Sequence, residues 1–212
     1  MTVFAATARA RRSIADLLDG LEDAQLAAPS LCAGWSVHTV AAHVAEATAP
    51  RALGRLLVDL ARAGGSVHRA NDAAARRAGL RPVGETVALL RERAESRVAP
   101  PVTGPRAPLA DVLVHEGDMR VPLGLPHTPD LADVALALEF ITTGRPVGFV
   151  PRGALRGLRL VATDLDRAWG MGEHLEGRGI DLLMAACGRT ALLPALTGPG
   201  VPVLAARLTT RR

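Results

Sequence analysis

The sequence predicts a mainly α-helical protein in which a helical bundle, residues 1–145, is followed by a small α+β domain, residues 146–212. Apolar residues recur at intervals of three and four through most of the first part, as on the buried face of a helix. After a junction at residues 143–146 that contains Gly and Pro, short apolar runs have the character of strands. The length of 212 residues also exceeds the needs of one ordinary bundle.

Apolar spacing, a capping residue and helix-breaking residues predict the helices of the first part. One helix is predicted over residues 3–21, where large apolar side chains share a face. Ser36 can cap the next helix, which begins near Val37, while Trp35 and Val40 occupy the two positions of a hydrophobic staple. Further helical segments, separated by stretches that contain Pro or Gly, are predicted at residues 51–62, 67–78, 85–98, 109–119 and 129–142.

The second part of the chain is expected to contain both strands and a helix. Residues 158–162 and 201–208 are short apolar runs and are predicted as strands. Residues 180–187 have helical spacing and lie between them. Together these segments predict the small α+β domain.

Composition excludes several classes of protein. Hydrophobic residues make up 49% and charged residues 22%, which are proportions of a soluble globular protein. The net charge of +4 comes from scattered Arg, and aromatic residues are only 2%, so no nucleic-acid partner is expected. Two isolated cysteines, arginines near the N-terminus and the lack of a long apolar stretch predict a cytoplasmic protein with no membrane partner.

One spacing of polar residues in apolar surroundings indicates a metal site. Asp111 and His115 are four residues apart in a helical segment, so their side chains share one face and can bind one ion. His43 stands among Ala and Val in another helix and can supply a third ligand. Two imidazoles and a carboxylate suit Zn²⁺ or another divalent metal, with a position left open for water or a thiol. From the spacing alone, the favoured interpretation is two hydrogen-bonded core histidines and an Asp that caps a helix or forms an ion pair.

Four segments carry a resemblance that extends over nearly the whole chain. They are Leu31-Cys-Ala-Gly-Trp-Ser-Val-His-Thr-Val-Ala-Ala-His43, Asp111-Val-Leu-Val-His-Glu-Gly-Asp-Met-Arg-Val-Pro-Leu-Gly124, Leu158-Arg-Leu-Val-Ala-Thr-Asp164 and Gly188-Arg-Thr-Ala-Leu-Leu-Pro-Ala-Leu-Thr-Gly198. In this order they resemble the mycothiol-dependent maleylpyruvate isomerase family. The resemblance implies a DinB-like four-helix bundle followed by a sterol-carrier-like α+β domain.

The resemblance also implies the roles of particular residues. His43, Asp111 and His115 match the metal ligands of the family, although the founding isomerase has Glu at the position of Asp111. Arg189 matches an Arg that the C-terminal domain contributes beside the metal, where a guanidinium can hold a substrate carboxylate. A surface Arg at a helix end is the alternative for Arg189. Mycothiol is implied as the thiol cosubstrate.

Several neighbouring residues have both structural and functional interpretations. Asp118 can orient a ligand histidine or pair with Arg120, and the second role is favoured. Trp35 can line the mouth of a pocket, but its staple position favours a structural role. Cys32 precedes a helix N-terminus and can be a reactive thiol, but a loop cysteine is favoured.

The functional hypothesis is a zinc-dependent enzyme, an S-transferase or isomerase, that uses a metal-activated thiol on a small-molecule substrate and acts as a monomer or homodimer. One alternative is a metal-dependent enzyme of secondary metabolism that uses the same pocket on another substrate. The other is a non-catalytic DinB-like binding module. An open coordination position would favour the enzymes, and ligand side chains that point apart would favour the module.

Overall fold

The computed structural model describes residues 2–50, 52–99 and 102–209, which are mainly helical with one small sheet. This confirms the predicted fold class. The helices are α1 (Val3–Asp19), α2 (Asp23–Ala27), α3 (Val37–Ala47), α4 (Ala52–Arg62), α5 (Val67–Ala78), α6 (Val83–Glu92), α7 (Ala107–Arg120), α8 (Leu131–Thr143), α9 (Gly179–Ala186) and α10 (Gly200–Thr209). The strands are β1 (Leu158–Ala162), β2 (Arg167–Gly170) and β3 (Glu173–Gly177), and residues Thr190–Ala195 form a 3₁₀ helix.

The chain divides into two compact units. The first contains Met1–Pro100 and His115–Pro126, and the second contains Pro101–Val114 and His127–Arg212. Helix α7 therefore contributes its first half to one unit and its second half to the other. The boundary between residues 145 and 146 stays a prediction. Along the described residues, none of the helices has the length and apolar character needed to cross a bilayer.

The predicted beginning of α3 is confirmed in detail. The Ser36 hydroxyl accepts a hydrogen bond from the backbone N–H of Thr39 at 3.1 Å, as expected of an N-cap residue. Trp35 and Val40 are both buried, at the two positions of the hydrophobic staple. The cap bond fixes the residue at which α3 begins.

Helix α6 is shorter than predicted, and a buried arginine binds the segment that follows it. The prediction extended the helix to residue 98, but it ends at Glu92. The guanidinium of Arg11, which is 2% exposed, donates to the carbonyls of Ala94 and Ser96, each at 2.8 Å. Both carbonyls belong to residues that follow the helix, and these bonds hold that segment against α1 in a non-helical course.

The sheet has the order β2-β1-β3, in which β1 pairs antiparallel with β2 and parallel with β3. Strand β1 is confirmed at its predicted bounds. Beside it, Gly172 comes so close to the backbone of Gly157 that an added Cβ would lie 2.1 Å from the carbonyl oxygen. Only glycine fits this turn between β2 and β3.

The predicted strand at residues 201–208 is wrong, since this segment forms helix α10. Gly200 and Leu204 are its buried residues, and they are one helical turn apart. Pro202 lies in the first turn, where a missing N–H costs no hydrogen bond. The valines on either side of Pro202 are typical of a strand, whereas the Leu and Ala residues that follow favour a helix.

Candidate metal centre

Two of the predicted ligands meet inside the first unit. His43 lies on α3 between buried alanines and valines, and His115 lies on α7 and is 8% exposed. Their rings meet edge to face with centroids 5.1 Å apart. A nitrogen of one ring lies within 4.8 Å of a nitrogen of the other, which is close enough for one ion to bind both.

Asp111 stands one turn before His115 on the same helix. Side chains four residues apart share one helix face, and the side chain of His115 leans toward the N-terminal turn of α7 that carries Asp111. A carboxylate oxygen of Asp111 lies within 4.8 Å of a nitrogen of His115 across this turn. The spacing that predicted this pair is therefore matched by the positions of their ligand atoms.

Asp118 holds the other side of the His115 ring. One of its carboxylate oxygens lies 2.9 Å from Nδ1 of His115, one turn along α7, and the residue is 0% exposed. With its proton on Nδ1, the ring donates to this carboxylate and keeps Nε2 for another partner. Arg120, the pairing partner predicted for Asp118, donates to Glu116 at 2.8 Å.

The thiol of Cys32 reaches the same carboxylate. Its Sγ lies 3.1 Å from Oδ2 of Asp118 and 3.8 Å from Nδ1 of His115. The loop is tied in place because the N–H of Leu31 donates to the Asp118 carbonyl and the N–H of Cys32 donates to the Ser30 hydroxyl. A loop cysteine was the favoured interpretation of the sequence, and the structure adds its contact with two polar side chains.

Trp35 covers the two histidines. Its ring centroid lies 5.2 Å from that of His43 and 6.4 Å from that of His115. The indole N–H donates to a carboxylate oxygen of Asp72 on α5 at 2.7 Å. The hydrogen bonds from Trp35 and then Arg76 lower the pKa of Asp72, so this acceptor stays ionised at neutral pH. Trp35 thus combines its staple position with direct contact to the histidine rings.

Arg189 belongs to the second unit, at the end of α9. Its guanidinium donates to the carbonyl of Cys187 at 2.8 Å. This bond satisfies a carbonyl of the last helical turn, which is the structural role considered for a surface Arg at a helix end. Its predicted role beside the metal stays a prediction.

The residues that meet here fit a divalent metal. Imidazole nitrogen and carboxylate oxygen are the donors that zinc takes in catalytic sites, where three protein ligands leave a fourth position open. An acceptor on the far nitrogen of a ligand histidine, as Asp118 is to His115, is the usual outer partner of such a site. Within the first unit, His43 and His115 therefore have the donor type and the proximity that a metal needs, and the role of Asp111 as third ligand stays a prediction.

Sequence reasoning found some of the contacts that connect these residues and missed others. The contact of Asp118 with His115 was detectable, because side chains three residues apart meet on a helix, and it was considered although a pair with Arg120 was favoured. The contacts of Cys32 and Asp72 were not detectable, since each meets its partner through contacts between residues far apart in the chain. The Gly-Trp segment before α3 was the available sign that this loop is attached to the site.

Comparison with known proteins places the chain in a family. The family model for the mycothiol maleylpyruvate isomerase N-terminal domain matches residues 7–123, more than half of the chain. A crystal structure of a histidine-to-alanine mutant of the mycothiol-dependent maleylpyruvate isomerase has a TM-score of 0.51 and 16% identity, over 94% of this chain and 96% of that chain. A second crystal structure of that isomerase has a TM-score of 0.47 and 15% identity over the same shares. No curated protein sequence matches. At 16% identity, the similarity to the first crystal structure shows a shared fold. The match to the family model shows that the chain belongs to the mycothiol maleylpyruvate isomerase family.

Proposed function

We propose that this protein is a metal-dependent enzyme that uses a low-molecular-weight thiol as nucleophile on a small-molecule substrate, as an S-transferase or isomerase. The observation that carries the proposal is the meeting of His43 and His115, whose ligand nitrogens lie within 4.8 Å of each other. Family membership supports mycothiol as the thiol, because mycothiol-dependent isomerases give the family its name.

His43, Asp111 and His115 are the proposed metal ligands. They supply two neutral nitrogens and one carboxylate oxygen, a set that suits Zn²⁺. When bound, such a metal lowers the pKa of a coordinated thiol, which makes the thiolate available at neutral pH. Asp111 has a side chain one methylene shorter than Glu, so the position of α7 must bring its carboxylate closer to the ion.

Two further residues hold the ligands in position. In the tautomer with its proton on Nδ1, His115 donates a hydrogen bond to Asp118, which leaves Nε2 unprotonated and directed away from the carboxylate. Trp35 covers both imidazole rings with an apolar surface, which limits the access of water. Less water strengthens the electrostatic interactions of the ligands.

Arg189 is the proposed binding residue for an anionic substrate. Its guanidinium presents several N–H groups, and one of them is used by the Cys187 carbonyl. A guanidinium can bind a carboxylate through two parallel N–H groups, which a Lys could not do with the same geometry. Its assignment rests on the matched segment at residues 188–198.

The test combines metal analysis with thiol binding. Protein purified without chelator is expected to contain one equivalent of zinc, and mycothiol is expected to raise its melting temperature, because a ligand of the folded state stabilises it by mass action. His43→Ala should lose thiol transfer, because it removes one of the three proposed ligands of the catalytic metal. The control is His174→Ala, since His174 is an exposed histidine on β3 that pairs with Glu176.

Wild-type protein without stoichiometric metal would overturn the proposal, as would thiol transfer that survives His43→Ala. A metal without any response to thiols would favour water as the nucleophile and remove mycothiol from the proposal. The loss of metal in the His174→Ala control would mean that the assay reports unfolding.

A further inference from the structure

Cys32, His115 and Asp118 form a second group of potential metal ligands within the first unit. Their donor atoms make a triangle with sides of 2.9 Å from Nδ1 to Oδ2, 3.1 Å from Sγ to Oδ2 and 3.8 Å from Sγ to Nδ1. Three donors around a tetrahedral zinc are separated by roughly 3.3–3.6 Å, given the usual bond lengths to S, N and O. Shifts of a few tenths of an ångström would therefore accommodate an ion.

We propose that Cys32, His115 and Asp118 are a second, thiolate-containing site for a thiophilic divalent cation such as Zn²⁺. It uses neither His43 nor Asp111, so it goes beyond the proposed function and does not depend on it. Sulfur, imidazole nitrogen and carboxylate oxygen are all accepted zinc donors, and the sulfur gives this set a preference for softer metals.

Burial and charge favour a cation between these three side chains. Asp118 is 0% exposed and His115 is 8% exposed, so an ion bound to both would be shielded from water. A divalent ion held by one thiolate, one carboxylate and one neutral imidazole forms a group with no net charge. Such a group costs less to bury than the separate ions.

Binding requires a defined rearrangement of protons. The Cys32 thiol proton leaves to solvent, so that sulfur binds as thiolate, and the imidazole of His115 takes the tautomer that carries its proton on Nε2. The bonds formed are metal to Sγ, Nδ1 and Oδ2, and the hydrogen bonds of the thiol and the ring to Asp118 are broken. No oxidant or reductant takes part.

The two donor sets share His115 and therefore exclude each other. A neutral imidazole has one unprotonated nitrogen, so binding through Nδ1 prevents binding through Nε2. Removal of His43 should leave the Cys32 set intact and direct the metal to it. The loop from Pro29 to Ser36, closed by backbone pairing of those two residues, already holds Cys32 beside Asp118.

The experiment uses Co²⁺ as the only added ligand, with the full chain and buffer that contains no thiol. His43→Ala protein is expected to bind Co²⁺ and to show the near-ultraviolet absorption of a sulfur-to-cobalt bond. Cys32→Ser in that background should abolish the band. Cys187→Ser should leave it unchanged, because Cys187 is a buried cysteine at the end of α9 in the second unit.

Absence of the band from folded His43→Ala protein overturns the proposal, and so does its persistence after Cys32→Ser. If the double variant does not fold, X-ray absorption of zinc-loaded His43→Ala/Cys187→Ser protein decides. A sulfur scatterer at about 2.3 Å supports the site, and a shell of nitrogen and oxygen alone contradicts it. The proposed function is tested on wild-type protein with a thiol present, so the two proposals fail separately.

Discussion

The protein has two tryptophans, and their surroundings differ in an instructive way. Trp35 in the first unit and Trp169 in the second are buried, at 8% and 6% exposure. Each donates its indole N–H to a carboxylate, from Trp35 to Asp72 at 2.7 Å and from Trp169 to Glu139 at 3.0 Å. In each unit, a hydrogen bond from the indole N–H to a carboxylate therefore holds the tryptophan ring in place.

What lies against each ring is different. Trp35 faces two histidines that are close enough to share an ion, whereas Trp169 has the guanidinium of Arg167 over its ring at 5.3 Å. The contacts of Trp169 stabilise a strand and a helix of one unit. Those of Trp35 hold the wall of a candidate site, so its loss should affect binding as well as stability.

The largest effect is expected from His115→Ala, because His115 belongs to both donor sets. Metal affinity should fall by more than the roughly 10–100-fold that follows removal of an outer-shell partner. Metal content after dialysis, measured by elemental analysis, checks this. His174→Ala in the second unit should retain the metal. If His115→Ala protein retained as much metal as His174→Ala protein, His115 would not be a metal ligand.

Asp118→Asn should weaken metal binding by about 10–100-fold, since an amide accepts the Nδ1 hydrogen bond less strongly than a carboxylate. The matched control is Asp181→Asn, which removes a buried carboxylate that accepts two bonds of 2.8 Å from Arg178. That change should lower the free energy of unfolding by about 1–2 kcal/mol and leave the metal dissociation constant unchanged. Isothermal titration with Zn²⁺ and urea unfolding separate the two effects, and equal losses of metal affinity would contradict the account.

The tryptophan comparison itself can be tested by replacing each ring with the smaller Phe. Trp35→Phe and Trp169→Phe should each cost about 1–2 kcal/mol of unfolding free energy, through the lost indole hydrogen bond and a smaller ring. Only Trp35→Phe should also change the affinity for Zn²⁺ or for the thiol. A change of affinity in Trp169→Phe, or in neither variant, would show that the two surroundings are equivalent.

The smallest expected effect is on the pH dependence of the free energy of unfolding, and it comes from His38. Its Nε2 lies 3.1 Å from the hydroxyl of Thr86. Burial lowers its pKa below the ordinary value of 6.5. Between the lowered pKa of folded His38 and its ordinary value, the unfolded chain binds more protons than the folded chain. The free energy of unfolding should therefore decrease as the pH falls below 6.5. Above pH 6.5 His38 should make no contribution to its pH dependence. Urea unfolding at several pH values should show a flatter dependence for His38→Gln, and the exposed His68→Gln serves as control.

Local patterns predicted much of the fold. The cap at Ser36, the staple at Trp35 and the bounds of β1 depend on neighbouring residues, and all three agree with the structure. The end of α6 depended on Arg11, more than eighty residues away, and could not be found locally. Helix α10 was misassigned because Val and Pro at its start obscured the helix-forming residues after them.

The part of the candidate site that lies on α7 could be predicted from the sequence. Asp111 and His115 were paired by a spacing of four, and His43 joined them through its apolar surroundings and the resemblance. The contribution of Cys32 depends on a loop that meets α7 only in the folded chain. Packing between distant segments is what sequence periodicity does not encode.

The most direct test of the metal centre is an anomalous difference map, recorded at the zinc edge from crystals of wild-type protein purified without chelator. We expect one peak bonded to His43, Asp111 and His115, with a fourth position open to water or a thiol. A map without a peak, or a wild-type peak bonded to Cys32 and Asp118 without His43, would contradict it.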